Sequence, residues 1–293
     1  IAYSDIFDYP LKLSEVYRFY SGSNPVSKVL LRDSLELMVI NWQIQKKSDY
    51  YFLPGRDSIV NIRKKRRRAS VPKLKIAKRA ARLLKNIPTI KLVGVSGSLA
   101  TRNSEKKDDI DLFFITSKNT LWLTRFLVNI VLILFGKKRG RLDFIGSNKI
   151  CLNMYMDEGS LSIGFDRRNI FTAHEAGQLL VLFDRNSFYE QFLFDNRWIA
   201  NFLPHIKISD RLDIVHKENK ILTFVDRFFF ILQFIYMSGR ITQEEVKPHL
   251  ARFHPQDRMH PVLELYKERC KQTDKLTTGK QRSDNRPYSR ILT

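Results

Sequence analysis

Apolar and polar positions along the chain follow two periods. Ile90–Val95 and Ile110–Thr116 are short, nearly continuous apolar runs rich in β-branched and aromatic residues, which predicts buried strands. Two further strand candidates follow, 141–145 and 149–156, and alternation in the second puts Cys151, Asn153 and Tyr155 on one face. Helical spacing marks 26–40, 121–135, 169–183, 188–201, 217–238 and a short 242–246 segment, with Pro204, Gly239 and Pro248 as punctuation. The rings of Phe228, Phe229, Phe230, Phe234 and Tyr236 wrap around their helix, which predicts deep burial. From Glu268 onward the chain is polar with little periodicity, the pattern of a flexible tail.

These elements predict an α+β protein in four parts. In residues 1–56, Ser14 is placed to cap a first helix, 26–40 forms a second, and two short runs around Lys47, Ser48 and Asp49 make a hairpin. That arrangement resembles a winged helix. A mixed sheet with flanking helices is expected over 57–165, a helical region over 166–267, and the tail over 268–293.

Charge adds a direction to this picture. The chain of 293 residues carries 51 Lys plus Arg against 30 Asp plus Glu, a formal +21 that favours polyanionic partners. Between 56 and 85 stand Arg56, Arg63, Lys64, Lys65, Arg66, Arg67, Arg68, Lys73, Lys75, Lys78, Arg79, Arg82 and Lys85, with Asp57 as the one acid. Ile76, Ala80, Leu83, Leu84 and Ile87 recur at helical spacing, so Lys75, Lys78, Arg79, Arg82 and Lys85 fall on the opposite face. That face is either a solvated surface or a stripe that tracks the phosphates of RNA or DNA. The apolar segments 121–135 and 221–237 are short and carry charges, which predicts buried helices rather than membrane spans. With two cysteines and no metal-ligand spacing, a reducing cytoplasmic setting is expected and no membrane partner. His249 and His254 are five apart and flanked by prolines, so with His260 they do not form a ligand set on one helix face.

The candidate chemistry lies between the first two strands. Gly97 allows a tight turn that brings backbone amides to a phosphate, and Ser98 adds a hydroxyl at the start of a short helix. Asp109 and Asp111 open the next strand and alternate onto one face, where their mutual repulsion is relieved by a cation such as magnesium. A hydrophobic strand, Gly-Ser, an interval of about ten residues and an Asp-x-Asp strand resemble the DNA polymerase beta-type nucleotidyltransferase superfamily. The segments DIFDYPL, SGSLA, DDIDLF, TAHE and NRWIANFLP are also similar to a bacterial group of nucleotidyltransferase-domain proteins, which implies no particular reaction.

The resemblance implies that Gly97 and Ser98 hold nucleotide phosphates and that Asp109 and Asp111 hold magnesium and act in catalysis. Arg102, on the turn after the cradle, either neutralises leaving-group charge or is a surface residue. A third metal ligand is expected on the following strand. Asn153 stands where an acid is anticipated, Asp143 is an alternative, and Asp157 a further one. The implied reaction moves a nucleoside monophosphate from a nucleoside triphosphate (NTP) to a hydroxyl acceptor. The alternative is a catalytically degenerate form of the same fold that binds nucleic acid or regulates.

Overall fold

The computed structural model describes residues 1–22, 24–136, 149–210, 219–239, 244–253 and 258–284. The chain divides into two compact units, Ile1–Tyr20 with Asn24–Arg63 and Arg258–Thr293, and Ser21–Ser23 with Lys64–Asp257.

In the first unit, α1 (Ala2–Asp5) and α2 (Leu13–Arg18) precede α3 (Lys28–Ile40) and an antiparallel hairpin of β1 (Gln45–Lys47) and β2 (Tyr50–Phe52). Ser14 does not cap α2. The helix begins one residue earlier, and the Glu15 carboxylate accepts the Lys12 backbone N–H at 2.8 Å. Ser27 caps α3 by accepting from the Leu30 amide. Leu31 and Leu35 of α3 pack with Tyr9, Leu11, Val16, Ile44 and Tyr51. The long helix α4 (Ile59–Leu84) starts here, where its buried Arg63 pairs with Glu15 at 2.5 Å and lies over the Tyr9 ring.

The second unit contains a mixed six-stranded sheet with helices against it. Its strands are β3 (Ile90–Val95), β4 (Ile110–Thr116), β5 (Ile150–Asp157), β6 (Leu180–Asp184), β7 (Glu245–Lys247) and β8 (Leu250–Arg252), in the order β6-β3-β4-β5-β8-β7. Only β4 and β5 are parallel. Parallel neighbours need a crossover, and α6 (Leu121–Leu134) supplies it. Ala77, Ala80, Ala81 and Leu84 of α4 and Leu121, Trp122, Val128 and Leu132 of α6 share one core with Ile90, Ile110, Leu112 and Phe114. Phe113 instead meets Phe192 of α8 (Phe188–Asp195), with ring centroids 5.7 Å apart.

Several expectations change. The predicted helix 169–183 is a shorter α7 (Ile170–Gly177) followed by β6, because Leu180–Asp184 bonds along the edge of β3. Segment 188–201 breaks after α8 at the fully buried Asn196, whose amide binds the Leu161 and Phe192 carbonyls, and continues as a 3-10 turn. Of the segment expected to be helical at 242–246, residues 242–243 lie outside the described residues, and Glu245 and Val246 belong instead to the β7–β8 hairpin, which extends the sheet from β5. The candidate strand 141–145 lies outside the described residues. Of the flexible tail expected over 268–293, residues 268–284 form the end of α10 (Met259–Asp284), and 285–293 lie outside the described residues. In α10, Tyr266 meets Tyr3 edge-on, and Arg269 pairs with the buried Asp5 at 3.1 Å.

The largest difference is in α9 (Lys220–Ser238). Its ring-rich sequence predicts burial, yet its buried residues are Asp226 and Met237. Phe229 stacks on Phe126 at 4.4 Å and Phe230 approaches Trp122 at 5.2 Å, so one side of α9 packs on α6. Phe228 and Tyr236, by contrast, are 58% and 65% exposed. Among the described residues α9 is the one helix long and apolar enough, by length and composition alone, to cross a membrane.

Candidate functional site

The site is built at the end of β3. Val95 closes the strand, the Ser96 amide donates to the Asp111 carbonyl at 3.1 Å, and Gly97 turns the chain with φ +63°. L-residues with side chains rarely hold that conformation, so the turn needs glycine. A Cβ placed there would lie 3.6 Å from Asp111 Oδ2. Turn and carboxylate therefore converge.

The helical turn α5 (Gly97–Ala100) ends in a Schellman arrangement. Arg102 N–H donates to Leu99 O at 3.0 Å and Asn103 N–H to Ser98 O at 2.7 Å, with Arg102 at φ +58° in the position glycine usually takes. Arg102 is exposed. Its backbone is held in a costly conformation by the turn itself.

The 103–108 loop is fixed by polar contacts that its spacing alone does not announce. Asp108 accepts from the Glu105 amide at 2.8 Å, from Ser98 Oγ at 3.2 Å and from Ser104 Oγ at 3.4 Å. The Ser98 hydroxyl, assigned above to phosphate, is thus engaged with Asp108. From α4, Ser70 Oγ accepts the Ser104 amide at 3.2 Å, and Arg66 pairs with Glu105 at 2.7 Å. Lys73, only 1% exposed, donates to the Lys106 carbonyl at 3.0 Å and to the Asp108 carbonyl. Burial lowers the Lys73 pKa, and the carboxylates of Asp108 and Asp109 oppose that shift. The Lys73 amine is therefore built in beside the acids. The signal for it was a lysine on the buried stripe of α4, four and seven residues before Ala77 and Ala80.

Asp109 immediately precedes β4 and Asp111 lies within it, both half-buried. Strand alternation puts them on one face, and two carboxylates beside backbone amides are the hard-oxygen donors that suit magnesium, which fills its remaining positions with phosphate oxygen and water. Among the described residues no group of three or more His, Cys, Asp or Glu side chains could share a metal ion.

The third-ligand candidates separate. Asn153 is at the site: its Nδ2 donates to Ser96 Oγ at 3.4 Å, next to Gly97. Cys151 pairs in register with Asp111, but the register shifts after Leu112, so Phe113 faces Met154 and Asn153 is the extra residue. The expected common face of Cys151, Asn153 and Tyr155 is therefore broken by a bulge, and Tyr155 stacks on Phe114 in the core. Asp157 pairs with Thr116, about 20 Å along the strand from the acids, and binds the Asn119 amide and His249 Nδ1. It is structural. Asp143 lies outside the described residues.

The basic segment also divides. Arg63 and Lys73 are buried and Arg56 and Arg66 partly so, whereas Lys64, Lys65, Arg67, Arg68, Lys75, Lys78, Arg79, Arg82 and Lys85 are exposed. On α4 the exposed cations occupy the side opposite Ser70, Lys73 and Ala77, so the stripe faces away from the loop that carries the acids. No protein-family model matches the chain, and no curated protein or solved structure is significantly similar to it.

Proposed function

We propose that the chain is a magnesium-dependent nucleotidyltransferase. The observation that carries the reading is the left-handed turn at Gly97 set against the Asp111 carboxylate. Amides of Gly97 and Ser98 bind the β- and γ-phosphates, helped by the α5 N-terminus. Asp109 and Asp111 hold magnesium, which when bound neutralises phosphate charge and polarises the α-phosphorus. The acceptor oxygen bonds to that phosphorus in line as the bond to the β-phosphate oxygen breaks, its proton leaves to solvent, and pyrophosphate departs. Lys73 keeps the 103–108 loop in place, so the two acids are preorganised before substrate arrives.

The test is incubation with α-labelled nucleoside triphosphates, magnesium, pooled RNA and the protein itself as acceptor. Wild type is expected to transfer label and the Asp109→Ala, Asp111→Ala double variant to lose about 10²-fold or more at unchanged Tm. Equal transfer by the two sinks the proposal. Arg102→Gly isolates the role of that guanidinium, because glycine relieves the positive φ: slower transfer with an equal or higher Tm assigns it to leaving-group charge.

Asn153 at the site favours a second reading. An amide offers a carbonyl oxygen but neither charge nor base, as expected of a degenerate site in a nucleic-acid-binding protein with a winged-helix unit and the α4 stripe. Under it, Asn153→Asp leaves label transfer at background, and RNA or DNA binding falls steeply with salt and with neutralisation of Lys64, Lys65, Arg67 and Arg68.

A further inference from the structure

The outer face of α9 presents large apolar side chains to solvent. Ile221, Phe224, Phe228, Ile231, Leu232 and Ile235 are 75%, 76%, 58%, 50%, 50% and 67% exposed. At helical spacing they form one stripe about 21 Å long. Side chains of this size and exposure present on the order of 700 Å² of apolar surface. The largest patch on a typical monomer is about 300–600 Å² and is often functional.

The geometry points to docking of this stripe on the surface of an anionic lipid bilayer. Charge selects the occupant. Asp226, the only acid in α9, is turned inward at 6% exposure and accepts the Leu123 amide at 2.7 Å, while Lys220 and Arg227 are exposed. The chain as a whole carries +21. Two such chains, each at +21, repel, so a second copy is disfavoured. Anionic headgroups attract the same charge and accept apolar side chains to a depth of about 5–10 Å. The inner face of α9 stays on α6 through Phe229, Phe230 and Asp226, so the helix lies along the surface rather than across it. This inference is independent of the reaction proposed above.

The test uses the full chain with phosphatidylcholine vesicles, with and without phosphatidylglycerol, read by flotation. Wild type is expected to float with the anionic vesicles only. Phe224→Ser, Phe228→Ser is expected to lower that binding by about tenfold or more with unchanged Tm, since both rings are exposed. Electrostatic attraction through the α4 stripe alone would leave the double variant bound as wild type, which overturns the proposal. Equal binding to neutral vesicles, no binding to either, or a concentration-dependent dimer dispersed by the double variant also overturns it.

Discussion

Two helices of the second unit invert the usual link between composition and burial. The part of α4 in this unit is dense in Lys and Arg, yet its inner face buries Ser70 and Lys73 beside Ala77, Ala80, Ala81 and Leu84. α9 is rich in phenylalanine and isoleucine, yet it buries an aspartate and exposes eight large apolar or aromatic side chains. Burial is decided by which side of a helix meets a neighbour, and a polar group is buried where a partner waits for it. Lys73 has two carbonyls from the 103–108 loop, and Asp226 has the N-terminus of α6.

The contrast can be broken at four points. Lys73→Ala removes the donor to the Lys106 and Asp108 carbonyls and leaves a cavity; a loss of about 3 kcal/mol is expected in denaturant unfolding. A loss below about 1 kcal/mol would make Lys73 one more surface cation.

Asp226→Asn tests the other buried polar group, with the opposite sign. Burial first, against the Leu123 and Trp122 amides, raises the Asp226 pKa to about 6, with Asp157 adding to the rise and His249 opposing it. Because the folded value lies above the unfolded one near 4, the stability Asp226 contributes is full below pH 4 and is lost as pH rises to 6. Asparagine keeps an oxygen for the Leu123 amide without the charge. The variant is therefore expected to exceed wild type by about 2 kcal/mol at pH 7, the gap closing below pH 4. Parallel stability–pH curves would refute the assignment.

Phe228→Ser is expected to change stability by less than about 0.5 kcal/mol despite removing a ring, because 58% of that residue is already in water. A loss of about 2 kcal/mol or more would mean that something covers this face. Lys75→Gln with Lys78→Gln is expected to have the smallest effect, within about 0.3 kcal/mol in thermal unfolding, and a steep loss would mean the stripe makes folded-state contacts.

The candidate site was the more legible part of the chain because its signals are local. Gly97 announces a left-handed turn, and the alternation of Asp109, Ile110 and Asp111 announces a strand with acids to one side; both follow from backbone geometry within a few residues. Lys73 was missed because its partners are over thirty residues away in sequence, and helical spacing shows a lysine without showing what it will meet. β6 was missed for the same reason. Leu180–Asp184 reads equally as helix or strand until the edge of β3 supplies its hydrogen bonds. The β7–β8 hairpin depends likewise on β5, and α10 on Asp5 and Tyr3 near the other terminus.

The sequence by itself determined the central strands, the glycine turn, the pair of acids, the charge excess and the two-faced character of α4, since each follows from short-range sterics, periodicity or composition. The tertiary structure decided which polar groups are buried, where the register of β5 shifts to bring Asn153 to Ser96, and which side of α9 is left open. Those outcomes depend on the arrival of a distant partner, and a one-dimensional pattern records the side chain offered but not the surface it meets.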